Sequence, residues 1–179
     1  MRIERLPIPG AFRVIGEPSR DDRGSFTRCF DAAAFAAHGM IVPAEQGAVS
    51  WNQRRGTVRG LHYQTGVHAE TKLVRCSRGG AFDVILDLRE GSPAFGRWHA
   101  EVISDTNGVS LYLPAGTAHG FQALEDCTEL TYGIAPAYCP GAAGGVRWND
   151  PRLDIPWPIE QLIVSPRDRA LPAFDERLR

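Results

Sequence analysis

Short apolar or alternating runs, cut off from one another by turn-forming residues, dominate this chain and leave little room for long helices. The runs are Phe12–Ile15, Ser25–Phe30, Thr57–Gln64, Lys72–Cys76, Ala81–Leu88, Trp98–Ser104, Val109–Leu113, Gly120–Leu124 and Glu129–Ile134. Between them lie SRGG, REGSP, SDTNG, PAGT and PAYCPGAAGG, which is turn and loop chemistry. Runs of this length and spacing predict an all-β sandwich or barrel of the jelly-roll kind, with a few short helices. One helix is expected over Asp31–His38, with Asp31 as its cap and Gly39 as its stop. Short helical turns are expected near Ile159–Leu162 and at the C-terminus. No repeat or linker interrupts the 179 residues, so one domain is expected over 1–179.

Composition removes several classes of function. A net charge of −1 lacks the basic excess that a nucleic acid or an anionic membrane surface demands. No apolar run is long enough to span a bilayer, and MRIERLPIPG lacks the apolar core of a signal peptide, so a cytoplasmic protein is expected. Cys29, Cys76, Cys127 and Cys139 form no C-x-x-C pair, which favours free thiols in a reducing compartment. Nineteen arginines stand against one lysine, Lys72. A position that stays Lys in such a chain points to a need for a compact, rotatable ammonium.

A small barrel can hold a ligand in its mouth, and polar side chains on its strands would build the site. Of the five histidines, His38 and His99 read as surface or packing residues. His62 lies in RGTVRGLHYQ, where strict alternation would set Arg59, Leu61 and Tyr63 on one face and Val58, Gly60, His62 and Gln64 on the other. The two glycines beside them point to close approach by a ligand. His119 follows a tight turn in LPAGTAHGF, and Pro114-x-Gly116-x-x-His119 resembles the second cupin motif. His62, Glu70 and His119 could converge on a metal, but the His-x-His spacing of metal-binding cupins is absent.

Read together, the motifs resemble the dTDP-4-dehydrorhamnose 3,5-epimerase family. The matching segments are DDRGSF (21–26), GTVRGLHYQ (56–64), KLVRCSRGGAFDVILDLREGSPAFGRW (72–98), LYLPAGTAHGF (111–121), GGVRWNDPRLDIPWP (144–158) and SPRDRALP (165–172). They fall in the family's order and cover most of the chain.

The resemblance implies a cupin barrel that inverts C3, C5 or both in a nucleotide-linked 4-keto-6-deoxy sugar, as in rhamnose biosynthesis. It implies proton transfer through an enolate, without metal or organic cofactor. By that resemblance His62 is the base, Asp168 its hydrogen-bond partner, Lys72 the cation at the enolate oxygen and Tyr132 the acid on the opposite face. Without the resemblance, Asp168 reads as a surface turn residue and Tyr132 as a half-buried strand residue. Arg23 and Arg59 match arginines that grip the diphosphate, and guanidinium forks suit phosphate oxygens. Tyr138 matches a tyrosine at the nucleobase, His119 a group near the sugar, and Gln46 a retained binding position. The family's homodimers exchange N-terminal strands, which would send Arg23 and Phe26 to the neighbouring subunit's site.

Arg28 stands where the family commonly has an acidic residue near the base, and Ala48 where an Asn is frequent. Both leave open which base and sugar are taken. Two other functions fit parts of the pattern: a metal-dependent cupin oxygenase or isomerase using His62, Glu70 and His119, and a sugar-nucleotide-binding cupin without catalysis.

Overall fold

A computed structural model describes residues 1–175. In chain order the strands are β1 (Arg2–Arg5), β2 (Phe12–Ile15), β3 (Ser19–Asp21), β4 (Gly24–Phe26), β5 (Gln46–Asn52), β6 (Thr57–Gln64), β7 (Thr71–Arg78), β8 (Gly80–Asp87), β9 (Trp98–Ser104), β10 (Val109–Leu113), β11 (Thr117–Ala123), β12 (Thr128–Ala135), β13 (Ala143–Gly145) and β14 (Ile163–Val164). The first sheet runs β1-β2-β10-β7-β12-β5, and the second runs β13-β6-β11-β8-β9 with β14 alongside β6. They pack as a jelly roll. Val74, Cys76, Leu111, Leu113 and Leu130 from the first sheet meet Ala81, Ile85, Ile103 and Phe121 from the second in the interior.

Both outer faces are partly covered. The helix α1 (Ala32–Ala36) buries Phe35 against Phe12, Val14, Leu73 and Tyr112 of the first sheet. Asp31 caps it by accepting from the Ala34 N–H at 3.0 Å, and Gly39 follows at φ +72°. Across the molecule, the C-terminal segment lays Val146, Leu153, Ile155 and Phe174 over Leu61, Val84, Leu86 and Ala118. A second helix, α2 (Pro166–Arg169), has Ser165 as its cap and Pro166 at its first position.

Several expectations need correction. The run Ser25–Phe30 is a strand only to Phe26, in an exposed β3–β4 hairpin. Ile159–Leu162 is not helical. The Gln122 side chain holds Ile159 at both backbone groups, at 2.9 and 3.0 Å, and the chain then pairs as β14. Helix near the C-terminus is limited to α2, and residues 176–179 lie outside the described residues.

The alternation expected along Thr57–Gln64 is broken. His119 pairs with His62 but Phe121 pairs with Arg59, so Gly60 and Leu61 stand opposite Gly120 alone. This extra residue is a β-bulge, and it turns Arg59 to the same side as His62. Leu61 and Tyr63 face outward into the apolar cluster under the C-terminal segment. Gly60 serves the neighbouring strand rather than a ligand. Its φ is +121°, and a Cβ there would stand 2.6 Å from the Gly120 Cα.

Gly60→Ala is therefore expected to destabilise the fold by about 2–4 kcal/mol, through left-handed strain plus a backbone clash. Urea unfolding checks this; a loss under about 0.5 kcal/mol, typical of surface substitutions, would show that the bulge tolerates a side chain.

Candidate active site

A cavity of about 420 Å³ opens between the sheets, lined by His62, Arg59, His119 and Phe121 of the second sheet and by Lys72, Tyr132 and Ile134 of the first. Gln46, Ala48, Val49 and Ser50 of β5, together with Glu70 and Tyr138, complete its lining. Sequence-predicted residues from six separate stretches thus meet in one place. Arg23 and Phe26 do not: they sit on the β3–β4 hairpin, away from this cavity, with Phe26 73% exposed.

His62 Nε2 lies 2.7 Å from Asp168 Oδ1, and the other carboxylate oxygen accepts from the Gly60 N–H at 3.3 Å. Asp168 is buried on α2, and its own N–H donates to the Ser165 hydroxyl at 3.0 Å. One carboxylate thus holds the imidazole and satisfies the N–H left over by the bulge. A proton on Nε2 leaves the Nδ1 lone pair available. Burial pulls the His62 pKa below its ordinary value, against the raising effect of Asp168, and the Lys72 and His119 charges add to the lowering. Its neutral, basic form therefore dominates at neutral pH.

Tyr132 comes from the opposite sheet. Burial pushes its hydroxyl well above the usual tyrosine value, and the Asp83 charge adds to the effect, so it stays a protonated acid. Lys72 Nζ pairs with Glu70 Oε2 at 3.0 Å, and both side chains are buried. His119 Nε2 is bonded to Asp83 Oδ2 at 2.8 Å and its ring meets Tyr132 edge-on at 5.8 Å. Arg59 Nε donates to Asn52 Oδ1 at 2.8 Å and Nη2 to the Trp51 carbonyl at 3.3 Å, which fixes the guanidinium at the mouth. Gln46 Oε1 accepts from the Tyr138 N–H at 2.8 Å, so Gln46 also supports the loop that carries Tyr138.

Two residues here escaped the sequence reading. Asp83 is a fully buried carboxyl inside the apolar run AFDVILD, and a charge in such a run was itself the signal. Gln64, buried at the end of β6, carried none. As a metal ligand Glu70 is poorly suited, since Gln64 and the Lys72 ammonium engage its two carboxylate oxygens. Among the described residues, no group of three or more His, Cys, Asp or Glu side chains is arranged to hold a metal ion.

Two stacked, almost wholly antiparallel sheets, with a carboxylate-backed histidine on one and a partly buried tyrosine on the other lining one cavity, define a cupin-type barrel equipped for acid–base chemistry. The sequence profile of dTDP-4-dehydrorhamnose 3,5-epimerase matches residues 5–176. The Escherichia coli K12 dTDP-4-dehydrorhamnose 3,5-epimerase is 41% identical over 171 residues, spanning 93% of this chain and 89% of the relative. A Streptomyces niveus dTDP-4-dehydrorhamnose 3-epimerase is 37% identical over 170 residues, spanning 94% of this chain and 82% of the relative. The crystal structure of the Bacillus anthracis dTDP-4-dehydrorhamnose 3,5-epimerase with TDP and PPi bound superposes with a TM-score of 0.93 at 36% identity, covering 97% of this chain and 99% of that one. The chain belongs to the dTDP-4-dehydrorhamnose 3,5-epimerase family and is an epimerase.

With His62 as the base, its lowered pKa is expected to place the acid limb of kcat/KM for epimerisation below pH ~6.5, the ordinary histidine value. Asp168→Asn removes the charge that favours the imidazolium. It is expected to move that limb to still lower pH and to cut the plateau at least about a hundred-fold. A limb above pH ~6.5 in the parent protein would contradict the assignment.

Proposed function

We propose that this epimerase inverts both C3 and C5 of dTDP-4-keto-6-deoxyglucose, in cytoplasmic deoxysugar biosynthesis. The observation that carries the reading is that His62 and Tyr132 reach one cavity from opposite sheets. Such a pair can take a proton from one face of a carbon and return one to the other.

In each half of the reaction, His62 Nδ1 removes a proton from a carbon next to the C4 ketone. The C–H electron pair moves into the new C–C double bond, and the former carbonyl pair becomes the enolate oxygen. The Lys72 ammonium stabilises that oxygen, and Asp168 stabilises the imidazolium. Tyr132 then delivers its proton to the opposite face. Resetting the site requires net proton transfer from imidazolium to phenolate, through solvent in the cavity. His119 binds near the sugar, Arg59 grips the diphosphate, and Tyr138 and Gln46 stand at the nucleobase.

Arg23 and Phe26 belong in this scheme to the neighbouring site of a homodimer with exchanged N-terminal strands. In support, the β3–β4 hairpin stands apart from its own cavity with an exposed Phe26, and the Arg23 side chain is 90% exposed.

Proton NMR of dTDP-4-keto-6-deoxyglucose in deuterated, chelator-containing buffer tests the reading. Loss of the H3 and H5 signals, with rhamno-configured product trapped by a reductase, is the expected result. Loss of one signal only would restrict the chain to mono-epimerisation, and no exchange would refute the substrate. His62→Ala is expected to lower turnover about a thousand-fold while dTDP still binds. Tyr132→Phe is expected to keep exchange at one carbon and lose inversion; wild-type turnover in either variant would refute its role.

A further inference from the structure

Gln64 has no part in the proton transfers, yet its side chain is joined to both ends of the cavity. It is 3% exposed and fully engaged. Its Oε1 accepts from the Cys139 N–H at 2.8 Å, and its Nε2 donates to Glu70 Oε1 at 2.6 Å and to the His68 carbonyl at 3.3 Å. The other Glu70 oxygen holds Lys72 Nζ at 3.0 Å. A continuous chain of polar contacts therefore runs from the loop bearing Tyr138 to the ammonium beside the reacting ketone.

Only one orientation of the amide satisfies both ends. Flipped, its oxygen would face a carboxylate and a carbonyl, and its NH₂ would face an N–H. The Gln64 amide is itself buried, so breaking either of its links leaves a buried polar atom without its partner. The loop itself is held by three successive N–H groups: Ala137 donates to Glu45 Oε2 at 3.0 Å, Tyr138 to Gln46 Oε1, and Cys139 to Gln64. Glu45 and Gln46 act at the loop end of the cavity. Gln64 also reaches the chemistry.

We infer that Gln64 is a positioning residue that, through Glu70, couples occupancy of the nucleobase end by Tyr138 to the placement of the Lys72 ammonium. This rests on the roles of Tyr138 and Lys72 given under Proposed function. Gln64 touches no reacting atom; it links binding of the remote nucleotide to alignment at C4, where small displacements are costly. Coupling of this kind is reciprocal, so a change at Glu70 must be felt by a nucleotide that never reaches Lys72.

The test is a double-mutant cycle of Tyr138→Ala and Glu70→Gln, reading dTDP affinity by calorimetry and kcat by NMR. The cycle is run in the native protein and again with Gln64→Met, an unbranched apolar replacement. Tyr138→Ala should lower kcat at saturating substrate as well as weaken dTDP, and Glu70→Gln should weaken dTDP as well as lower kcat. The combined loss should fall short of the product of the single losses by about five-fold or more, and this shortfall should vanish with Gln64→Met. A purely structural Gln64 would lower thermal stability and leave the two losses multiplicative in the native protein, which overturns the inference. Should Gln64→Met fail to fold, the native cycle alone decides. If Tyr138→Ala spares dTDP binding, or Glu70→Gln spares kcat, the inference also falls. The fault then lies in the roles given to Tyr138 and Lys72.

Discussion

The site depends on one bulge in β6 and on what satisfies it. By inserting a residue opposite Gly120, the bulge brings Arg59 and His62 to the same side of the strand, and it leaves backbone groups outside the ladder. Those groups find partners in the C-terminal segment. Leu61 exchanges both backbone hydrogen bonds with Val146 at 2.9 Å, and the Gly60 N–H donates to Asp168. The same Asp168 carboxylate holds His62. A buried N–H left unpaired costs about 1–3 kcal/mol, so the carboxylate that orients His62 also stabilises the irregular strand beneath it. Structure and chemistry share one side chain.

Burial then drives the titrations of His62 and Tyr132 apart. Both His62 and Tyr132 lose solvation between the sheets, but the same effect acts in opposite directions on their titrations. An imidazole gives up its charge more readily, and a phenol keeps its proton. One environment therefore yields a neutral base and a protonated acid. Lys72 would be costly to bury as a lone cation, and the ion pair with Glu70 offsets that cost. The cavity accordingly brings a neutral imidazole, a protonated phenol and the Lys72 side chain together, with the Arg59 guanidinium at its mouth.

Much of this was legible in the sequence, for reasons that differ by residue. Strands buried on at least one face, such as those in the runs Ala81–Leu88 and Val109–Leu113, announced themselves by their apolar pattern. β5 did not: QGAVSWN is a mostly exposed edge strand, so no core imposes alternation on it. The lone lysine and the turn before His119 were visible signals. Asp168 was visible only through the family resemblance, because nothing local in SPRDRALP tells a buried carboxylate from a surface one. The side of the strand that Arg59 faces could not be read at all, since a bulge is a property of two paired strands. Gln64 and Glu70 become a pair only when β6 and β7 are brought together around the turn at Gly66–His68.

The claim that Asp168 fixes His62 as a neutral base with Nδ1 open to the cavity is tested most directly by nitrogen-15 NMR of the His62 ring at neutral pH. The expected spectrum is that of a neutral imidazole carrying its proton on Nε2, with an unprotonated Nδ1. A proton on Nδ1, or on both nitrogens, would contradict it.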